Sequence, residues 1–183
     1  QHEANDADVT LHLTQVEDAR AFGCVPTDAQ GRVTAFLEKM ENPVTNQINA
    51  GCYVFNPRVI SAIPVQTVVS VERDTFPKLV SDGAKVYGYL ENAYWLDIGT
   101  PKALLKASTD IVLRSGPGLV MPGADVDSTA VITGGSCIGR GSSVGAGTRI
   151  NGSIVEAGAV IGRDVVIENS FVATGASPHR TAS

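Results

Sequence analysis

The sequence has only three cysteines among its 183 residues, and no two of them form a CxxC pair. Cys24, Cys52 and Cys137 are odd in number and widely spaced. The spacing therefore predicts neither a disulfide framework nor a structural zinc site. A reducing, cytoplasmic setting fits this cysteine usage best.

Basic charge and long apolar runs are also scarce. There are 14 Lys and Arg residues against 19 Asp and Glu, a net charge of -5 that provides no basic field for a nucleic-acid backbone. No segment approaches the roughly 20 consecutive apolar residues that span a bilayer. We therefore expect neither nucleic acid nor a membrane as a partner. Because the chain opens at Gln1 directly before strand-like sequence, we expect the start of the gene product to be missing.

The first part of the chain has mixed periodicities that are typical of an α/β fold. Apolar residues alternate with polar ones from Val9 to Thr14, which predicts a strand with one buried face. Further strands are predicted at Val33 to Leu37, Cys52 to Phe55, Lys85 to Leu90 and Ala93 to Leu96. Helices are predicted at Pro57 to Ile63, from a Ser70 cap through Ser81, and from a Thr100 cap with Pro101 at the first helical position.

Beyond the linker Ser115 to Gly118 the composition changes to a strict six-residue repeat. Aliphatic residues recur every six positions at Val120, Val126, Ile132, Ile138, Val144 and Ile150. Small residues lie four positions after the first five of them, at Ala124, Ala130, Ser136, Ser142 and Thr148. The phase slips by one between Ile150 and Val155, which predicts an altered corner at Asn151-Gly152-Ser153. From Gly175 the repeat ends without an evident cap, so we expect a truncated carboxyl end or contact with another chain.

The densest set of groups suited to a phosphorylated sugar lies between Phe36 and Phe55. Glu38-Lys39 places a carboxylate beside an ammonium, and Asn49-Ala50-Gly51 places an amide and a glycine at the mouth of the next strand. Neighbouring strand residues point to opposite faces, so Glu38 and Lys39 serve one ligand only where the strand ends. Without a ligand, the pair is an exposed ion pair of about 0 to 1 kcal/mol.

These residues, with the later run Trp95-Leu96-Asp97-Ile98-Gly99-Thr100-Pro101, resemble the sugar-1-phosphate nucleotidyltransferases, most closely the GDP-mannose pyrophosphorylases. Met40 departs from the proline that the family often has there. The resemblance implies the second half of a Rossmann-like nucleotidyltransferase domain over residues 1–115. The repeat over residues 119–175 resembles a left-handed parallel β-helix of hexapeptide repeats.

The resemblance also implies a role for particular residues. Lys39 would contact the sugar phosphate, and Asp97 would help to hold Mg²⁺. The sugar would be bound by Gly23, Glu38, Asn49 and Gly51. Asp97 has an alternative as a loop carboxylate that caps its own turn, and Gly23 as an ordinary turn residue. Glu72 is explained by the dipole of its predicted helix, although it could also face the substrate.

The predicted reaction is nucleotidyl transfer from a nucleoside triphosphate, with GTP favoured, to a sugar-1-phosphate, with mannose-1-phosphate favoured. The family's glycine-rich nucleotide loop and its central metal-binding aspartate have no counterpart in this chain, so we expect these 183 residues alone to be inactive. The alternatives are a glucose-1-phosphate nucleotidyltransferase and a non-catalytic regulatory or scaffold paralogue. A hexapeptide acyltransferase is disfavoured because no histidine occurs between Val120 and Val172. The flat apolar faces of the repeat predict a homo-oligomer.

Overall fold

The structure, a computed structural model, describes residues 1–37 and 39–179. The chain divides into two compact units, Gln1–Trp95 and Leu96–Ser183. Each unit has a hydrophobic core of its own. None of the helices formed by the described residues is long and apolar enough to cross a membrane.

The first unit is organised around a three-stranded sheet. Its strands are β1 (Val9–Gln15), β2 (Gln47–Phe55) and β3 (Val86–Leu90), in the order β2-β1-β3. The central strand β1 is antiparallel to β2 and parallel to β3. The strand predicted from Val9 to Thr14 is confirmed, but the prediction that only one of its faces is buried is wrong. Thr10 and Thr14 are buried together with the aliphatic residues. On that face, Nδ1 of His2 lies 2.9 Å from the Thr10 hydroxyl.

Two of the predicted strands do not form. Residues 33–37 contribute only isolated bridges, Thr27 with Val33 and Cys24 with Leu37. Residues 93–96, which the structure describes throughout, are irregular. There the Trp95 indole N–H donates to the carbonyl of Ala50 at 3.1 Å, so that side chain is fixed by a tertiary contact and not by a strand ladder.

Short helices close the first unit. Helix α1 (Pro57–Ser61) follows an Asn56 cap, and helix α2 (Phe76–Ser81) follows a single π-helical turn, Val71–Thr75. As predicted, Ser70 caps this segment by accepting from the backbone N–H of Arg73 at 3.2 Å. The fully buried ring of Phe76 packs against three other aromatic rings at centroid distances of 5.0 to 5.9 Å, namely Phe36, Tyr53 and Phe55.

The second unit begins with helix α3 (Pro101–Leu113). Thr100 caps it by accepting from the Ala103 N–H, and Pro101 occupies the first turn, both as predicted. The helix packs against the solenoid described next. The contact is so close at Gly135 that a Cβ atom added there would overlap the carbonyl oxygen of Thr109. Val112 is the buried residue of α3, whereas Leu104 and Ile111 are exposed.

The six-residue repeat forms a parallel β-solenoid of about three turns, consistent with a left-handed β-helix. Three parallel sheets make its sides, and no helix falls between Val120 and Ile167. The first sheet contains β4 (Gly118–Val120), β7 (Ser136–Ile138), β10 (Ile154–Val155) and β13 (Phe171–Val172). The second contains β5 (Asp125–Val126), β8 (Ser143–Val144) and β11 (Val160–Ile161). The third contains β6 (Val131–Thr133), β9 (Arg149–Asn151) and β12 (Val166–Glu168).

The predicted slip of phase is visible in the strand register. Val131 pairs with Arg149, 18 residues further along, whereas Arg149 pairs with Val166, 17 residues further along. Thr133 pairs with Asn151 and Cys137 pairs with Ile154, so four steps in one coil correspond to three in the next. The residue is therefore lost at the Asn151-Gly152-Ser153 corner, as predicted. The repeated aliphatic residues from Ile138 onward fill the core, and Val120 at the start of the solenoid is 46% exposed.

Candidate functional site

A bulge in β2 forms the centre of the candidate site. Leu11 of β1 pairs with Tyr53 and Leu13 pairs with Asn49, so the three residues between Asn49 and Tyr53 lie opposite a single residue of β1. Gly51 takes a left-handed φ of +84°, which glycine adopts without steric cost. Asn49 and Gly51 were predicted at the mouth of the strand. The strand instead begins at Gln47 and contains both of them.

The Asn49 side chain is held at both ends of its amide. Its Oδ1 accepts from the backbone N–H of Gly51 at 3.0 Å. Its Nδ2 donates to the hydroxyl of Tyr53 at 2.7 Å and to Oε1 of Glu72 at 2.5 Å. The bulge brings Asn49 and Tyr53 together, although they are four residues apart in a strand.

Glu72 and Tyr53 are thus drawn into the candidate site. The Tyr53 hydroxyl also lies 3.4 Å from Oε1 of Glu72. Burial is the main cause that raises the pKa of Tyr53; the nearby Glu72 carboxylate raises it further, and the hydrogen bond from Asn49 acts in the opposite direction. Sequence reasoning explained Glu72 by the helix dipole, with contact to the substrate as the alternative, and gave Tyr53 no role. The one feature of the sequence that could have pointed to Tyr53 is its position two residues after Gly51.

Gly23 lies beside this bulge. Cys24 forms antiparallel bridges to Leu37 on one side and to Ile48 on the other. Gly23 precedes Cys24 and Asn49 follows Ile48, so the antiparallel register places the two next to each other. Trp95 packs in the same region. Its indole N–H donates to the carbonyl of Ala50, and its ring and that of Phe22 form a T-shaped pair with centroids 6.1 Å apart.

Lys39 follows the last paired residue of its segment. Leu37 exchanges backbone hydrogen bonds of 2.9 and 3.0 Å with Cys24, and Lys39 is exposed two residues further on. For Lys39, this position is the one expected, just beyond the end of the extended segment. Glu38, the other member of the pair, lies outside the described residues.

Asp97 belongs to the second unit, where it precedes the cap of α3. Its Oδ1 accepts from the backbone N–H of Gly99 at 3.0 Å, and the side chain is exposed. This is the turn-capping geometry that the sequence left open as an alternative. Among the described residues there is no group of three or more His, Cys, Asp or Glu side chains that could hold a metal ion.

Comparisons with known proteins bear on what such an arrangement does. The family model described as nucleotidyl transferase matches residues 1–113. The chain is 50% identical over 179 residues to the mannose-1-phosphate guanylyltransferase of Mycobacterium tuberculosis, covering 88% of this chain and 50% of that relative. It is 29% identical over 171 residues to mannose-1-phosphate guanylyltransferase 1 of Arabidopsis thaliana, covering 91% of this chain and 47% of the relative.

A third similarity is to the mannose-1-phosphate guanylyltransferase catalytic subunit beta of Drosophila pseudoobscura pseudoobscura. Here the identity is 33% over 141 residues, covering 72% of this chain and 37% of the relative. The chain spans about half the length of the curated relatives that it matches.

Proposed function

Because the chain belongs to the nucleotidyl transferase family, we propose that it supplies the sugar-phosphate half of an enzyme that transfers a nucleotidyl group to a sugar-1-phosphate. In this reaction a phosphate oxygen of the sugar-1-phosphate forms a bond to the α-phosphorus of the nucleoside triphosphate. The bond from that phosphorus to the α,β-bridging oxygen breaks, and pyrophosphate leaves with the electron pair. Such chemistry depends on positioning and on neutralising charge.

The arrangement around Asn49 is the observation that carries this proposal. A fixed amide, a glycine in the left-handed region and the backbone of Gly23 come together beside an extended segment that leads to Lys39. We assign the sugar ring to Gly23, Asn49 and Gly51, with Glu38 on its hydroxyls. Lys39 is assigned to the phosphate, because an ammonium neutralises the charge of the attacking phosphate group and so reduces its repulsion from the triphosphate.

The donor chemistry at Asp97 suits a hard cation that also binds phosphate. Mg²⁺ is commonly bound by one or two carboxylates together with substrate phosphate oxygens. Asp97 is exposed, and the Gly99 N–H occupies only part of the acceptor capacity of its Oδ1. We propose that Asp97 contributes one ligand to Mg²⁺, which when bound neutralises phosphate charge.

The substrates are proposed from the names of the relatives. Three of them are called mannose-1-phosphate guanylyltransferases, which supports mannose-1-phosphate and GTP over glucose-1-phosphate and another triphosphate. A non-catalytic paralogue remains the second candidate, because a scaffold could keep the same sugar-binding residues. We propose residues 1–115 as the catalytic part and 119–175 as the supporting solenoid. The three free cysteines are consistent with a cytoplasmic setting.

Lysine substitution in the complete gene product tests the proposal. Lys39→Ala is expected to lower kcat/KM for mannose-1-phosphate by about 2 to 4 kcal/mol of transition-state stabilisation, the scale of one preorganised charge contact. Lys78→Ala is the matched control, since Lys78 of α2 forms only an exposed ion pair with Asp82 just after that helix. Asp97→Asn is expected to weaken metal-dependent activity, with partial relief at high Mg²⁺. Activity within twofold of the parent for both Lys39→Ala and Asp97→Asn would show that these residues are wrongly assigned.

A further inference from the structure

Glu72 lies on a different segment from Asn49, 23 residues later, and yet its carboxylate meets the Asn49 amide. Resting on the proposed function, we propose that Glu72 is a positioning residue. It holds the Asn49 amide in the one orientation that presents Oδ1 to a hydroxyl group of the sugar. In this role Glu72 governs the binding and selection of the sugar phosphate and leaves nucleotide binding unchanged.

Counting donors and acceptors shows which part of Asn49 is left for a ligand. The amide nitrogen has two hydrogens, and these are used by the Tyr53 hydroxyl and by Glu72. The amide oxygen has two acceptor sites, and the Gly51 N–H occupies one of them. One acceptor site on Oδ1 therefore remains. A sugar hydroxyl is the complementary donor.

The negative charge of Glu72 reinforces the amide orientation that the Gly51 N–H also favours. A carboxylate only accepts hydrogen bonds, so turning the amide by half a rotation would set Oδ1 of Asn49 against Oε1 of Glu72. Two acceptors would then face each other, and the Gly51 N–H would face an NH₂ group. A hydrogen bond to an ionised acceptor is also about twice as strong as one between neutral groups. Glu72 and the Gly51 N–H thus together fix which end of Asn49 faces the ligand.

The segment that carries Glu72 is itself fixed. Ser70 accepts from the Arg73 N–H at 3.2 Å, and its own N–H donates to Asp74 at 2.9 Å. Tyr53, the second donor toward Glu72, packs edge-on against the buried ring of Phe76 at 5.0 Å. A side chain whose supporting residues are locked in this way gives a preorganised binding site, because little freedom remains to be lost when the ligand binds.

Steady-state kinetics of the complete gene product test this role. Glu72→Ala is expected to raise KM for mannose-1-phosphate by about tenfold or more, with KM for GTP and kcat changed by less than about threefold. Glu72→Gln keeps an amide oxygen that accepts from Asn49 without the charge, so a smaller rise of about threefold is expected. Asp82→Asn removes a surface carboxylate just after the end of α2, away from Asn49 in the sequence, and is the matched control.

A double-mutant cycle asks whether Glu72 acts through Asn49. If it does, Asn49→Ala will add little to the effect of Glu72→Ala. In the Glu72→Ala background the Asn49 amide no longer contacts the sugar in the correct orientation, so its removal costs little more. The preference for mannose-1-phosphate over glucose-1-phosphate should also shrink in Glu72→Ala. The nuclear magnetic resonance signals of the Asn49 side-chain amide, measured on this chain, should shift in Glu72→Gln and stay unchanged in Asp82→Asn.

Each outcome decides the matter. If Lys39→Ala impairs catalysis while Glu72→Ala changes KM for mannose-1-phosphate by less than twofold, the role of Glu72 is wrong and the proposed function stands. Additive effects of the Glu72 and Asn49 substitutions would also overturn positioning through Asn49. If neither the Lys39 nor the Glu72 variants change the kinetics, the proposed function fails as well. Should Glu72→Ala not fold, Glu72→Gln and Tyr53→Phe provide the same comparison.

Discussion

Asp8, the residue before β1, connects three segments of the first unit. Its Oδ1 accepts from the guanidinium of Arg58 at 2.9 Å, and its Oδ2 accepts from the backbone N–H of Lys85 at 2.9 Å. The side chain is only 14% exposed. The Lys85 N–H is the main cause that lowers the pKa of Asp8 below its ordinary value of 3.8, and Arg58 lowers it further against the opposing effect of burial.

This lowered pKa predicts how the stability of the first unit depends on pH. A carboxyl group with a lower pKa in the folded state stabilises the fold above its unfolded value of 3.8, and the effect is lost as the pH falls through the folded pKa. Asp8→Asn is therefore expected to lower the free energy of unfolding at pH 7 by about 1 to 3 kcal/mol, the scale for hydrogen bonds to a charged group. Urea titrations followed by Trp95 fluorescence measure it.

The difference between Asp8→Asn and the parent should shrink as the pH is lowered below 3.8. Asp82→Asn is the control, because its exposed pair with Lys78 is worth about 0 to 1 kcal/mol. If the free energies of unfolding of Asp8→Asn and the parent differ by the same amount at pH 7 and in strong acid, the charge of Asp8 makes no contribution to stability.

Single residues of the candidate site were predictable only where their type was informative. An asparagine and a glycine two positions apart in a strand-like stretch stood out, and Asn49 and Gly51 do lie together in the structure. For Glu72 the sequence left a helix-dipole role and a contact with the substrate as alternatives, because its position depends on how the segment after Ser70 packs against β2. No spacing within the sequence carries that information.

Among the elements, the solenoid depends on a ladder of buried hydroxyl groups at its corners. Thr148 shows the pattern: its Oγ1 donates to the carbonyl of Gly162 at 2.8 Å and accepts from the N–H of Val165 at 3.1 Å. Ser136, Ser142 and Ser153 are likewise almost fully buried and hydrogen-bonded. These hydroxyl groups satisfy backbone groups that the tight corners would otherwise leave unpaired.

Thr148→Val keeps the side-chain shape and removes the hydroxyl. The Gly162 carbonyl and the Val165 N–H then lose their partner, so protection of nearby amides against hydrogen exchange should fall by about 1 to 3 kcal/mol. Hydrogen exchange at Arg149 and Val165 measures this. Thr133→Val removes an exposed hydroxyl from β6 and should change protection by less than about 0.5 kcal/mol. Equal effects of the two variants would show that the buried ladder contributes nothing beyond its shape.

The elements differ in how far the sequence predicted them. The solenoid was predicted, including its slip at Asn151-Gly152-Ser153, because each coil repeats one local environment and so leaves a period in the sequence. The bulge in β2 and the missing strand at residues 93–96 were not predicted. Both depend on which segment lies alongside, and local propensity contains no information about the partner.

For the chain as a whole, the exposed strand edges of the solenoid bear on self-association. In the described part of the solenoid, β12 and β13 are the last strands of their sheets, so each leaves one backbone edge without a further strand in its sheet. Val166 on β12 is 64% exposed and Phe171 on β13 is 40% exposed. Exposed strand edges with apolar neighbours favour pairing between chains.

We therefore expect the chain to self-associate through this end of the solenoid, as measured by sedimentation velocity over a wide range of concentrations. Val166→Lys and Phe171→Lys together should weaken the association by about tenfold or more, because a lysine buried without a partner costs more than the 1.4 kcal/mol that corresponds to tenfold. Val65→Lys replaces a valine of the first unit that is 85% exposed, and it should leave the association unchanged. A chain that remains monomeric at the highest concentration would contradict the prediction. An association weakened equally by Val65→Lys would place the contact elsewhere.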